Sequence, residues 1–286
     1  MTNLDQFESV FKAATKTPYA HELVQLRSVL VVTDLDEPAA RAFGAQVRSF
    51  LSFLAEDAGV SWRIVSGEEY DDVRSLLDIV EETKPGLICT YRNLHSAAWK
   101  WSFSLGPYID VLTQATTVPV LVVPHPEAGK AAERAFQNRD SVMALTDHLA
   151  GDARLVNHAV LFTQENGTLY LTHIEDEAVF ERYMEVVSKI PSIDTDNARQ
   201  ELLRQLLKEP EDYIGSTKEI LEAKGLSMKI ESLVSLGHHL TDCLHLVEKH
   251  AVDLLVLNTK DEDQLAMHGL AYPLAVELRQ LPLLML

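Results

Sequence analysis

A seven-residue string recurs in this chain with four of its seven residues unchanged. Residues 28–34 read SVLVVTD and residues 141–147 read SVMALTD, so Ser, Val, Thr and Asp recur with Asp34 and Asp147 113 positions apart. A repeat at that interval predicts two like units. Each string is a short apolar run ending in Thr-Asp and is followed by apolar residues at helical spacing. These are Ala40, Phe43, Val47, Phe50, Leu51 and Leu54 in the first copy, and Leu155, Ala159 and Phe162 in the second. Each copy therefore opens as strand then helix.

The alternation continues. Residues 86–90 and 253–257 are near-continuous apolar runs, preceded by helical patterns at about 70–83 and 240–250. Two-sided apolarity marks parallel strands covered by helices on both faces. Residues 118–123 (VPVLVV) match residues 281–286 (LPLLML). The expected fold is α/β, with one doubly wound parallel sheet in each copy. From the Thr-Asp end to the next matched strand the first copy takes 52 residues and the second 106. The second has room for a strand at 168–174, a helical insertion at 177–223 broken by Pro191 and Pro210, and a strand at 228–234. The first has only 61–65, so it reads as having lost a strand–helix unit. The division is a helical arm at 1–26 carrying Phe7, Val10, Phe11 and Ala14, domains at 27–126 and 140–286, and a linker at 127–139. An exposed apolar edge strand is an aggregation template. The run at 281–286 therefore needs cover, and 118–123 is its natural partner.

Charge narrows the function. With 43 Asp+Glu against 25 Lys+Arg, the net charge of −18 repels nucleic acid and anionic lipid. No run approaches the roughly 18 apolar residues of a membrane helix, and no apolar leader is evident. Cys89 and Cys243 make no disulfide framework and no Cys-x-x-Cys. A cytoplasmic protein with inert thiols is expected. His238, His239 and His245 lack the i, i+4 pair of a helical metal site, so no metal is expected. Ser104 lies outside a nucleophile-elbow pattern.

The order of strands and helices, the Thr-Asp ends and the terminal VPVLVV together resemble the universal stress protein family, here in tandem over residues 27–286. The resemblance implies sheet order 3-2-1-4-5 in a complete domain and pairing of two domains through their last strands, here within one chain, with a homo-oligomer possible beyond that. ATP-binding members carry Gly-x2-Gly-x9-Gly-Ser/Thr after the fourth strand, where glycines let backbone N–H groups approach phosphates. Here Tyr91 and Leu94 hold the two leading positions in the first copy, and Gly106 is followed by Pro107. In the second copy Asn258 and Asp261 hold them, and Gly269 is followed by Leu270.

The loops differ in charge as well. Arg92, His95 and Lys100 could attract an anion beside Gly106, whereas residues 260–263 (KDED) would repel triphosphate. Asp34 and Asp147 resemble the family's adenine-contacting aspartate, and the plain alternative is a helix or turn cap. Trp99, Trp101 and Phe103 read as interface packing or as an aromatic ligand wall. The expectation is a regulatory or stress-response binding module with no cofactor and no enzymatic activity. The alternative is a binder of ATP or AMP that holds the base with Asp34 or Asp147 and the phosphates with Arg92, His95 or Lys100. Asn258 and Gly269 are the remaining candidate ligand positions.

Overall fold

A computed structural model describes residues 18–56, 59–101, 104–146, 149, 151–259 and 271–286. The first half contributes β1 (Ser28–Val32), β2 (Ser61–Val65), β3 (Leu87–Tyr91) and β4 (Val120–Val123). The second contributes β5 (Ser141–Leu145), β6 (Thr168–Asp176), β7 (Lys229–Gly237), β8 (Leu254–Leu257) and β9 (Leu283–Met285). Where two sheets were expected there is one, of nine strands in the order β2-β1-β3-β4-β9-β8-β5-β6-β7.

The reason lies at β9. It pairs in parallel with β8 (Leu255 opposite Leu283) and antiparallel with β4 (Val120 opposite Met285, Val122 opposite Leu283), so neither of its edges is left bare. Leu283, Leu284 and Met285 are fully buried. All other pairings are parallel. Pro119 and Pro282 stand just before β4 and β9 and give the ladder only carbonyls, to the N–H groups of Ile88 and Leu255.

The helices follow from capping and apolar spacing. In α1 (Glu37–Phe50) the Asp36 carboxylate accepts from the Ala39 N–H at 3.0 Å, and Ala40, Phe43, Val47 and Phe50 face the core. Gly44 lets this helix lie close on β2, because a Cβ there would sit 2.5 Å from Ile64. The Asp72–Ser75 capping box opens α2 (Val73–Thr83). Then come α3 (Pro107–Ala115), the short α4 (Lys130–Arg134) and α5 (Ala153–Phe162). They are followed by α6 (Glu177–Ser188), α7 (Thr195–Ala223), α8 (His239–Lys249) and α9 (Ala271–Glu277).

Two expectations change. Pro191 does separate α6 from α7, but Pro210 lies inside α7, buried beside Tyr213 and Ile214. A proline in a helix interior costs about 3 kcal/mol, and tertiary burial of this face offsets it. The 127–139 connection is also more than a linker. It contains α4, and Phe136 then packs edge-on against Phe43 and Phe50 at 5.8 and 5.9 Å. Arg139, just beyond, stacks 4.1 Å over Phe53 and donates to the Phe162 carbonyl at 3.1 Å.

Of the N-terminal arm, Phe7, Val10, Phe11 and Ala14 lie outside the described residues. Residues 18–27 are irregular and not helical. They strap the halves together. The buried Tyr19 hydroxyl donates to Asn157 of α5 at 2.6 Å, Asn157 donates back to the Ala20 carbonyl at 3.2 Å, and Tyr19 meets Tyr213 of α7 edge-on. From there the chain runs directly into β1. No helix among the described residues is long and apolar enough to cross a membrane.

Candidate functional site

In an open α/β sheet, ligands collect beyond the carboxyl ends of the strands, where the order reverses. The first half reverses at β1, which lies between β2 and β3. Asp34 stands two residues beyond β1, half-buried. It caps nothing, since Asp36 caps α1. Its carboxylate is instead engaged at both oxygens by the end of β3 and the loop that follows it. The Tyr91 hydroxyl donates to Oδ1, and the His95 N–H donates to Oδ2 at 2.6 Å. The Asp34 N–H donates back to the Tyr91 oxygen at 3.1 Å. Asn93 and His95 take left-handed φ values of 57° and 56°, the turn that brings the His95 amide round to Asp34. Gly67 closes the other side, because a Cβ there would lie 2.6 Å from the Asp34 carbonyl oxygen.

Aromatic rings fill the remaining space. The His95 ring rests on Tyr70 and Tyr108 at 5.0 and 5.2 Å, and the Tyr70 hydroxyl donates to the Thr33 carbonyl at 3.1 Å. Tyr91 meets Phe43 and His125 edge-on at 5.2 and 5.1 Å. Trp99 stacks on His125 at 4.7 Å with the planes 8° apart. The Glu127 N–H donates to His125 Nδ1 at 3.2 Å. Burial pushes the phenols of Tyr70 and Tyr91 well above their ordinary range, so they remain protonated donors. Burial lowers the His125 pKa, while Asp34 and Glu127 pull it back up. The crevice is thus occupied by the protein's own side chains.

The basic residues expected there do not converge on it. Arg92 is 2% exposed, and its guanidinium crosses to the other half. It donates to the Ala275 carbonyl and, at 2.6 Å, to the Leu278 carbonyl, at the carboxyl end of α9. Burial, and secondarily Arg279, pushes its pKa down to about 9. Arg92 is therefore a clamp between halves and not a phosphate grip in the crevice. His95 contributes its backbone amide to Asp34. Lys100 is exposed, with Nζ 5.4 Å from the Trp99 ring centre. Gly106 (φ 94°) caps α3 and lies against Asn93, whose Cα a Cβ would approach to 2.8 Å. It serves a close backbone contact. Trp99 packs within the crevice, Trp101 is exposed, and Phe103 lies outside the described residues.

The described residues of the second half show a different contact. The Asn258 amide donates to Asp152 Oδ2, joining the end of β8 to the start of α5, and Asp152 Oδ1 accepts from the Leu155 N–H at 2.9 Å. Asp147, Asp261 and Gly269 lie outside the described residues. His238 donates its N–H to Asp242 at 2.8 Å, and no group of three metal-ligating side chains occurs among the described residues. Cys89 is fully buried and burial pushes its thiol up, so the reactive thiolate is disfavoured. The residues that fill the first crevice, Tyr70, Tyr108 and His125, did not stand out in the sequence. Their available signals were Tyr91 in a glycine position and His125 between two prolines.

No family model matches the sequence, and no curated protein matches it significantly. Solved structures do. A functionally unknown protein from Pseudomonas aeruginosa aligns over 91% of this chain and 92% of its own, with a TM-score of 0.50 and 14% identity. A candidate universal stress protein from the same species aligns over 91% and 93%, with a TM-score of 0.50 and 13% identity. At such identity the likeness is one of fold: a mostly parallel α/β sheet with alternating strands and helices, shared with both structures.

Proposed function

We propose that this chain is a tandem protein of the universal stress protein type that acts as a regulatory binding module, not as an enzyme or a conventional ATP binder. The five-strand order β7-β6-β5-β8-β9 supports reading the second half as a complete 3-2-1-4-5 domain. The order β2-β1-β3-β4 supports reading the first as the same domain less one strand–helix unit. The β4–β9 pairing supports an internal pair in place of a two-chain dimer.

The observation that carries the reading is Asp34. Both of its carboxylate oxygens are held, by Tyr91 at the end of β3 and by His95 in the loop beyond, where an adenine-binding aspartate would need them free. A nucleotide would have to displace that loop and the Trp99–His125 stack, and would find Tyr91 and Leu94 in place of the two leading glycines. Each missing charge-assisted bond forfeits about 1.5–3 kcal/mol, and a few together separate micromolar from negligible affinity. Titration calorimetry of the full chain with Mg-ATP is expected to give no saturable heat at low micromolar concentration. A one-to-one isotherm there would overturn the reading in favour of an atypical ATP or AMP binder.

A further inference from the structure

The nine-strand sheet ends differently on its two sides. Beside β5, the strand β6 carries β7 along its outer edge, whereas beside β1, β2 is itself the last strand. The Ser61 N–H donates to the Arg27 carbonyl and the Thr33 N–H to the Val65 carbonyl, so residues 61, 63 and 65 turn their peptide groups toward β1. Bonding alternates along a parallel strand, and Trp62 and Ile64 therefore direct their N–H and C=O groups outward. No strand meets that edge among the described residues.

Charged side chains commonly guard such an edge. The one on β2 is drawn aside. Arg63 turns to α2, donating to Glu82 at 3.3 Å and to Thr83 at 3.2 Å, with Glu69 3.8 Å away. On the opposite face an open groove runs between β2 and α1. Ile64 lies in it against Gly44, and Trp62 lies 4.9 Å beneath the Arg48 guanidinium. The groove is basic at one end and acidic at the other. Arg48 stands with Trp62 toward the amino end of β2, and Glu68 and Glu69 line the groove beyond its carboxyl end.

We propose that this edge binds a second copy of the chain, with β2 pairing antiparallel to β2 of that copy about a two-fold axis at Arg63. Two features favour a second copy over an unrelated strand. The axis sets Trp62 opposite Ile64 of the second copy, so every outward N–H meets an outward C=O. It also lays the acidic end of each groove along the basic end of the other, bringing Arg48 of each copy toward Glu68 of its mate. The paired Arg63 side chains lie on the other face, where Glu82 and Glu69 of each copy answer their charge. Trp62 and Ile64 of both copies form one strip of cross-strand contacts between the two α1 helices. The contact lies away from the crevice and does not rest on the function proposed above.

The test uses the full chain. Sedimentation velocity over a micromolar concentration series is expected to show a reversible dimer. Arg48→Glu and Glu68→Arg change exposed positions and are expected to keep the wild-type melting temperature. Each places like charges together twice in the dimer and is expected to weaken it about tenfold or more. An equimolar mixture of the two variants is expected to regain the wild-type affinity, because the two reversed charges then face each other and so do the two native ones. A monomer throughout the series overturns the proposal. So does a dimer untouched by either variant, which places the contact at residues 1–17 or on another surface, and so does a mixture no tighter than its components.

Discussion

At the described residues, the two halves bridge corresponding crevices by different means. In the first, a tyrosine and a backbone amide seize Asp34, and a layer of rings (Tyr70, Tyr108, His95, His125, Trp99) packs over them. In the second, among the described residues, an amide–carboxylate contact from Asn258 to Asp152 joins the end of β8 to the start of α5. Among the described residues, the half with four strands carries the heavier closure. An aromatic layer gains apolar burial as well as hydrogen bonds, whereas a partly exposed polar pair gains little beyond its bond. The difference teaches that the carboxyl end of a strand can be held to its neighbours either by packing, which commits the following loop to a structural role, or by a polar bridge such as Asn258 to Asp152.

The largest expected effect is at the seam that makes the two halves comparable at all. Leu284 is fully buried between β4 and β8. Leu284→Ala is expected to cost about 2–5 kcal/mol, and Leu284→Asp, a buried unpaired charge, to leave no soluble folded protein. Because β9 belongs to the second half by sequence and to both by pairing, the Ala variant is expected to melt in one transition, shifted down as a whole. Two transitions, with one at the wild-type temperature, would break the comparison into two independent domains.

Next in size is the contrast between the closures themselves. Tyr91→Phe removes the donor to Asp34 Oδ1 and the acceptor of the Asp34 N–H together. Asn258→Ala removes one donor and leaves Asp152 its Leu155 contact. Losses of about 1.5–3 and about 0.5–1.5 kcal/mol are expected, read from urea midpoints at unchanged slope. Equal losses, or the reverse order, would show that the paired contacts of Tyr91 with Asp34 hold the first half no better than the single contact of Asn258 holds the second.

How much of this could be read from the sequence follows from what each pattern encodes. Strands such as 28–32 and 254–257 announced themselves because parallel strands buried on both faces are apolar throughout. Matching ends, as at Pro119 and Pro282, signalled two strands in like positions. Pro210 misled because a local propensity was weighed without the tertiary contacts that override it. Arg92 misled for a similar reason: a basic residue in a loop carries no mark of where its guanidinium goes, and its partners at 275 and 278 are carbonyls that any residue type provides. The aromatic plug was hidden because Tyr70, Tyr91, Tyr108 and His125 come from four separate segments that meet only in the fold.

The smallest expected effect separates the halves by pH. His125, in the first crevice, and His158, on α5 in the second half, are both buried, and for both burial is the leading cause of a pKa below the ordinary 6.5. A histidine depressed in the folded state is protonated first in the unfolded chain. Its contribution is therefore intact above about pH 6.5 and is lost as pH falls toward the lowered folded value. The neighbours differ in sign. Asp34 and Glu127 oppose the shift at His125 while Lys100 adds to it. At His158 the Arg154 charge adds to burial and only the Arg154 carbonyl opposes it, through the contact to Nδ1 at 2.8 Å. Melting temperature between pH 7.5 and 5.5 is therefore expected to fall less steeply in His158→Gln than in the wild type, and His125→Gln to flatten the profile by a smaller amount. Trp99 offers a local check, since protonating the imidazole stacked on its face should quench its fluorescence over the same interval in the wild type and not in His125→Gln. A His125 variant that flattens the profile more than the His158 variant would mean that Asp34, held by Tyr91 and His95, no longer acts on the ring, and that the first closure is electrostatically sealed from its own histidine.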